Sequence, residues 1–123
     1  MNAQHIKTLV SLLILFSLPL SALEITDPGE SQKEAIARMH HKLHDDQAAH
    51  KAREAKALKE LNEMTIRENV RVESINNKID ELIDAKKQVI RLRYFHLIEM
   101  RTILTDEQKV GYDKAVLNRS TVK

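Results

Sequence analysis

His40 and His44 stand four residues apart, and His96 and Met100 repeat that spacing further along the chain. Residues four apart share one face of an α-helix, about one turn from each other, so their side chains can converge. Two such pairs on packed helices would offer three imidazoles and a thioether to one point. That donor set suits a borderline transition metal, and a dication there also asks for a nearby carboxylate. Mg²⁺ and Ca²⁺, which prefer cages of oxygen, fit poorly. Zn²⁺ would be satisfied by three histidines and a carboxylate, leaving Met100 unused. Ni²⁺ or Co²⁺ would use the fifth donor and are favoured, and Cu²⁺ also fits a mixed nitrogen and oxygen site. His41 and His50 read as solvent-facing spares. Each pair alone has an ordinary explanation: surface histidines on a polar helix for the first, a core histidine and a Met filler for the second. The matched spacing argues for a joint role.

The elements that must position these residues are helices. Between Gly29 and Gly111 there is neither Gly nor Pro, and the stretch is rich in Ala, Leu, Glu, Lys and Arg, the good helix formers. Apolar positions recur at three and four through Ala35, Met39 and Leu43, and later through Leu58, Leu61, Val72, Ile75, Ile79, Leu82 and Val89, which makes the class all-α. A single helix over roughly 70 residues would be ~105 Å long, so the pattern predicts an antiparallel hairpin. Its best turn is Ser74-Ile75-Asn76-Asn77, where Asn tolerates a left-handed backbone and Asn77 can cap the next helix. A softer break is expected around Asp45-Asp46-Gln47, giving about four helices. A turn at Asn76-Asn77 sets His96 opposite Glu60 and Glu63, with Glu60 fitting the simple hairpin slightly better.

Helix starts are marked twice. Ser31-x-x-Glu34 reads as a capping box opening the first helix, and Thr105-Asp106-Glu107-Gln108 as another opening the last, with Asp106 and Glu107 favourably placed in the helix dipole. The second motif has a complete structural explanation and asks for no ligand.

Composition narrows the function. Two Phe, two Tyr, no Trp and two Gly leave little for a β-sandwich or a phosphate-binding loop. A net charge of +2 with interspersed charges gives no basic face for nucleic acid. Without Cys there are no disulfides, and a metal must be held by His, carboxylate or Met. Residues 1–22 read as a signal peptide, or a retained N-terminal anchor. They combine a weakly basic start, an apolar run from Leu9 to Leu18 too short for the ~20 residues of a membrane helix, and a break at Pro19. Residues 23–123 then form one exported domain, small enough that a homodimer is expected on physical grounds.

His96-Leu-Ile-Glu-Met100-Arg101, followed by Leu104-Thr-Asp-Glu-Gln108 and Tyr112-Asp113, resembles the periplasmic heavy-metal sensors of nickel/cobalt resistance. These sensors sit within a wider LTxxQ group of periplasmic stress proteins. The resemblance is strong over residues 92–117 and one of pattern over 38–66. It implies a hooked, usually dimeric hairpin of α-helices. It also implies a metal site built from His40, His44, His96 and Met100, with the glutamate falling on Glu63. In function it implies a sensor whose metal-induced shift relieves inhibition of a transcriptional response across the membrane, through an anti-sigma factor or another membrane-bound signalling protein. The alternative within the same group is a chaperone that shields unfolded clients on a concave helical face. An enzyme has little support, since no nucleophile–base pair stands out.

Overall fold

The structure, a computed structural model, describes residues 24–120; the expected signal segment lies outside them. Three helices and no strand occur among the described residues: α1 Glu30–Thr65, α2 Val72–Thr102 and α3 Asp106–Asn118. None is long and apolar enough to cross a membrane. The all-α class stands.

Helices α1 and α2 form one compact unit, residues 28–103. They run antiparallel, because partners on α2 rise in number as those on α1 fall. Lys78 pairs with Glu60, Arg53 with Asp84, Gln47 with the Val89 carbonyl, and His40 with His96. Leu43, Gln47 and Ala57 are buried on α1, and Leu82, Ala85, Val89, His96, Leu97 and Met100 on α2. The spacing of three and four puts each set on one helical face. Ala85 is wholly buried and Ala57 nearly so; side chains this small let two helix backbones approach closely.

The turn is not at Asn76-Asn77, which lie inside α2. It spans residues 66–71, where Asn69 takes the left-handed backbone at φ 62°, a conformation Asn tolerates better than most residues. The Arg67 N–H closes back onto the Met64 carbonyl at 3.3 Å, and the Thr65 hydroxyl donates to the Asn62 carbonyl at 2.7 Å. Helix continues through Asn76-Asn77 because the next residue is tied to α1: Lys78 Nζ donates to Glu60 at 2.6 Å and to Glu81 at 2.8 Å. Tertiary pairing outweighs the weak intrinsic preference of asparagine.

The expected break at Asp45-Asp46-Gln47 is also absent. Asp46 pairs with Lys42 one turn back, and Gln47 is buried, its Nε2 donating to the Val89 carbonyl at 2.9 Å. Hence three helices are present among the described residues rather than about four. The start of α1 moves as well. Gly29 is the N-cap and its N–H donates to Gln32 Oε1 at 3.1 Å, so Ser31 lies within the first turn instead of capping it. Gln32 Nε2 also donates to the Ile103 carbonyl at 2.9 Å. One side chain thereby satisfies an orphan donor at the start of α1 and an orphan acceptor just past the end of α2.

The second unit comprises, among the described residues, 24–27 and 104–120. Its helix begins as expected. Thr105 Oγ1 accepts from the Gln108 N–H at 3.2 Å and Gln108 Oε1 accepts from the Thr105 N–H at 3.0 Å. Gln108 Nε2 reaches the Thr26 carbonyl at 3.0 Å, so the capping residue also holds the segment that carries the left-handed Asp27.

Candidate metal centre

The shifted turn decides which residues meet. Moving it by about eight residues toward the N-terminus moves the partner of any α2 residue about sixteen positions down α1, or ~24 Å. His96 therefore faces His40, not Glu60 or Glu63. The two rings have centroids 5.1 Å apart and planes tilted by 44°. His96 is 4% exposed. The Nε2 atoms of both rings are buried, and neither has a hydrogen-bond partner.

Buried polar atoms are nearly always satisfied, because desolvating one without a partner costs about 1–3 kcal/mol. Two such atoms on facing rings are thus an unusual concentration. Burial pushes the His96 pKa below the ordinary histidine value; His40 adds to the shift and Glu99 opposes it. The neutral ring, the form that ligates metals, is therefore favoured at His96.

Met100 follows His96 by one turn and is 2% exposed, on the same buried face of α2. His44 does not behave like its counterpart. A step of four residues turns a side chain by about 40° around the axis, and Leu43 and Gln47 place the α1 seam on the other side of His40. His44 accordingly lies exposed. The two pairs share a spacing, but only one of them keeps both members on the interface.

Glu63 is not in this site. Twenty-three residues of unbroken α1 put it ~35 Å from His40, exposed and 3.8 Å from Lys59. Glu60 is engaged near the turn, where the hydrogen bond from Lys78 holds its carboxyl below the usual carboxylate range. Among the described residues no three His, Asp or Glu side chains gather in a metal-binding cluster. The expectation of one five-donor site within one chain is corrected to a pair of imidazoles with a buried thioether alongside.

A small cleft of about 120 Å³ opens beside His96, lined from α1 by Met39, Lys42, Leu43 and Asp46 and from α2 by Leu92, Phe95 and Glu99. The sequence reading placed Met39 only in the apolar repeat and gave Glu99 no role, although they directly precede the candidate ligands His40 and Met100. It also missed Gln47. The available signal was a polar residue one turn after Leu43, on the face that carries the apolar repeat. His41 is exposed and lies 3.3 Å from Asp45, while His50 Nδ1 lies 3.2 Å from Arg53 Nη1, so both spares have local partners.

No protein-family model, characterised protein or solved structure matches the chain.

Proposed function

We propose that the chain is a metal-responsive regulator of the bacterial periplasm, with His40 and His96 as its central donors and Met100 beside them. One observation carries this reading: two imidazoles 5.1 Å apart across the α1–α2 seam each bury an Nε2 atom that has no hydrogen-bond partner. An ion shared by the two rings would satisfy both atoms and cross-link the helices. Metal then binds the arrangement with closed rings better than one in which the helices splay, and that difference in affinity is the physical content of a sensor. The resemblance of residues 92–117 to nickel/cobalt-resistance sensors supports a divalent transition metal as the signal, with Ni²⁺ or Co²⁺ favoured and Zn²⁺ or Cu²⁺ as alternatives. It equally supports a membrane-bound signalling protein, such as an anti-sigma factor, as the receiver.

The finer architecture belongs to the same proposal: a hooked hairpin that works as a homodimer. Ile79, Ile83, Ile90, Tyr94 and Ile98 fall on one side of α2 and are 38%, 53%, 48%, 57% and 63% exposed. An apolar stripe on a charged helix is the surface that a second copy or a signalling partner covers.

The same stripe favours the second reading, a periplasmic chaperone of the LTxxQ kind that holds unfolded clients. Titration of the purified protein with Ni²⁺, Co²⁺, Zn²⁺ and Cu²⁺ by calorimetry separates the two. The sensor reading expects one tight site that His40→Ala and His96→Ala each remove. Suppression of client aggregation by a protein that binds none of these metals would put the chaperone first.

A further inference from the structure

Resting on the metal-regulator reading for its site, but departing from the nickel or cobalt that the resemblance supports, we infer that the ion best matched to this site is reduced copper, Cu⁺, held by the Nε2 atoms of His40 and His96 together with thioether sulfur. The donors brought together are the imidazoles of His40 and His96 and, on the same buried face of α2 as His96, Met100, which is 2% exposed. Met39 adds a second thioether, on the cleft that His96 lines. No third His, Asp or Glu completes a cluster among the described residues.

Three physical arguments follow from that set. The first is charge. The cost of burying an ion rises with the square of its charge, so a site built around two imidazoles and a thioether penalises a dication more than a monocation, and the carboxylates of Asp46 and Glu99 on the neighbouring cleft are offset in part by Lys42. The second is softness. Thioether with imidazole is a donor combination that selects Cu⁺, whereas Ni²⁺ and Co²⁺ seek more and harder ligands than are present. The third is angle. With metal–nitrogen bonds of ~2.0 Å, two rings bound in line would have centroids ~6.3 Å apart, and rings bound at a tetrahedral angle ~5.1 Å. The observed 5.1 Å lies within the span that two rings sharing one ion can cover. A bent pair leaves room for further donors, and sulfur is what the surroundings offer.

The test is an anaerobic competition of the purified protein against a Cu⁺ chelator of known affinity, with parallel titrations of Zn²⁺, Ni²⁺ and Co²⁺ and X-ray absorption at the copper edge. The expected result is one Cu⁺ per chain, bound more tightly than any of the dications, with sulfur as well as nitrogen scatterers. In the double variant Met39→Leu/Met100→Leu, which keeps side-chain volume but removes sulfur, Cu⁺ affinity should fall by about tenfold or more while Zn²⁺ affinity stays unchanged. Dications bound as tightly as Cu⁺ would overturn this inference and leave the metal-regulator reading standing. A Cu⁺ spectrum free of sulfur would overturn it as well, and that readout on the wild-type protein decides the matter even where the double variant fails to fold. Absence of binding by all four ions would overturn both.

Discussion

The α1–α2 seam is built differently at its two ends. Toward the turn it is crossed by matched charges: Lys78 sits between Glu60 and Glu81, Arg53 donates to Asp84 at 2.8 Å, and Lys86 lies 3.9 Å from Glu54. These side chains are partly solvated, and their charges come in opposite pairs. At the other end the seam holds His40, His96 and Met100, two of them almost fully buried, with both Nε2 atoms unmatched. Gln47, matched by the Val89 carbonyl, lies between the two regimes. A polar group that already has its partner is structural and asks for nothing more. A buried one without a partner costs stability in the free protein and regains it when a ligand arrives. The contrast is why the proposed site is placed at the histidine end, though the charged end is richer in titratable groups.

The largest effect that can break this contrast is on metal affinity. His96→Ala should weaken binding of every candidate metal roughly 100-fold or more, since even a residue that only supports a ligand is worth 10–100-fold. Lys78→Ala, at the charged end, should leave that affinity unchanged. Calorimetric titration of both variants checks it, and equal losses would erase the distinction between the ends.

Next is Gln47→Ala, expected to lower unfolding free energy by about 2 kcal/mol through one lost buried hydrogen bond and the lost packing of its stem. Urea unfolding measures this. A loss below ~0.5 kcal/mol would mean that the boundary between the two regimes carries no weight.

Asn69→Ala should cost about 1 kcal/mol, because alanine resists the left-handed backbone that Asn69 adopts at φ 62°. Asn69→Gly should be close to neutral. Ala and Gly variants of equal stability would place the turn elsewhere.

The smallest effect is a pH slope. Burial, then His40, lowers the folded-state pKa of His96, and Glu99 partly offsets them. Below the ordinary histidine value of 6.5 the unfolded chain takes up a proton that the folded chain resists. Stability is therefore full above that value and declines as pH falls through it. Unfolding midpoints of the metal-free protein at pH 7.5 and 5.5 should differ in that sense, and less so in His96→Asn. A slope unchanged by the substitution would assign the pH dependence to other groups.

Helix content was legible because it depends on composition and period: the Gly- and Pro-free stretch from Glu30 onward and the threes and fours of its apolar residues. The Thr105–Gln108 cap was legible for a similar reason, being a local contact between residues three apart. The turn was not. Asn76-Asn77 carries the stronger local signal, yet Lys78 binds α1 there and the chain reverses at residues 66–71, where Asn69 alone marks the place. An error of about eight residues in the turn doubles along the partner helix. That doubling is why Glu60 and Glu63 were matched with His96 in place of His40. His44 was misjudged for another reason, since spacing gives the shared face of a pair but not which side of that face meets a neighbour. His40 and His96 do meet, and Met100 is buried one turn from His96, because their periods agree with the seam.

Nitrogen-15 NMR of the imidazole rings during a Zn²⁺ titration tests the central claim most directly. Zn²⁺ is diamagnetic and, on this account, engages both rings whether or not it is the physiological ion. The account predicts that the Nε2 resonances of His40 and His96 move together, saturating at one ion per chain, while those of His41 and His50 stay in place. Movement confined to the exposed histidines, or no movement at His40 and His96 at saturating Zn²⁺, would contradict it.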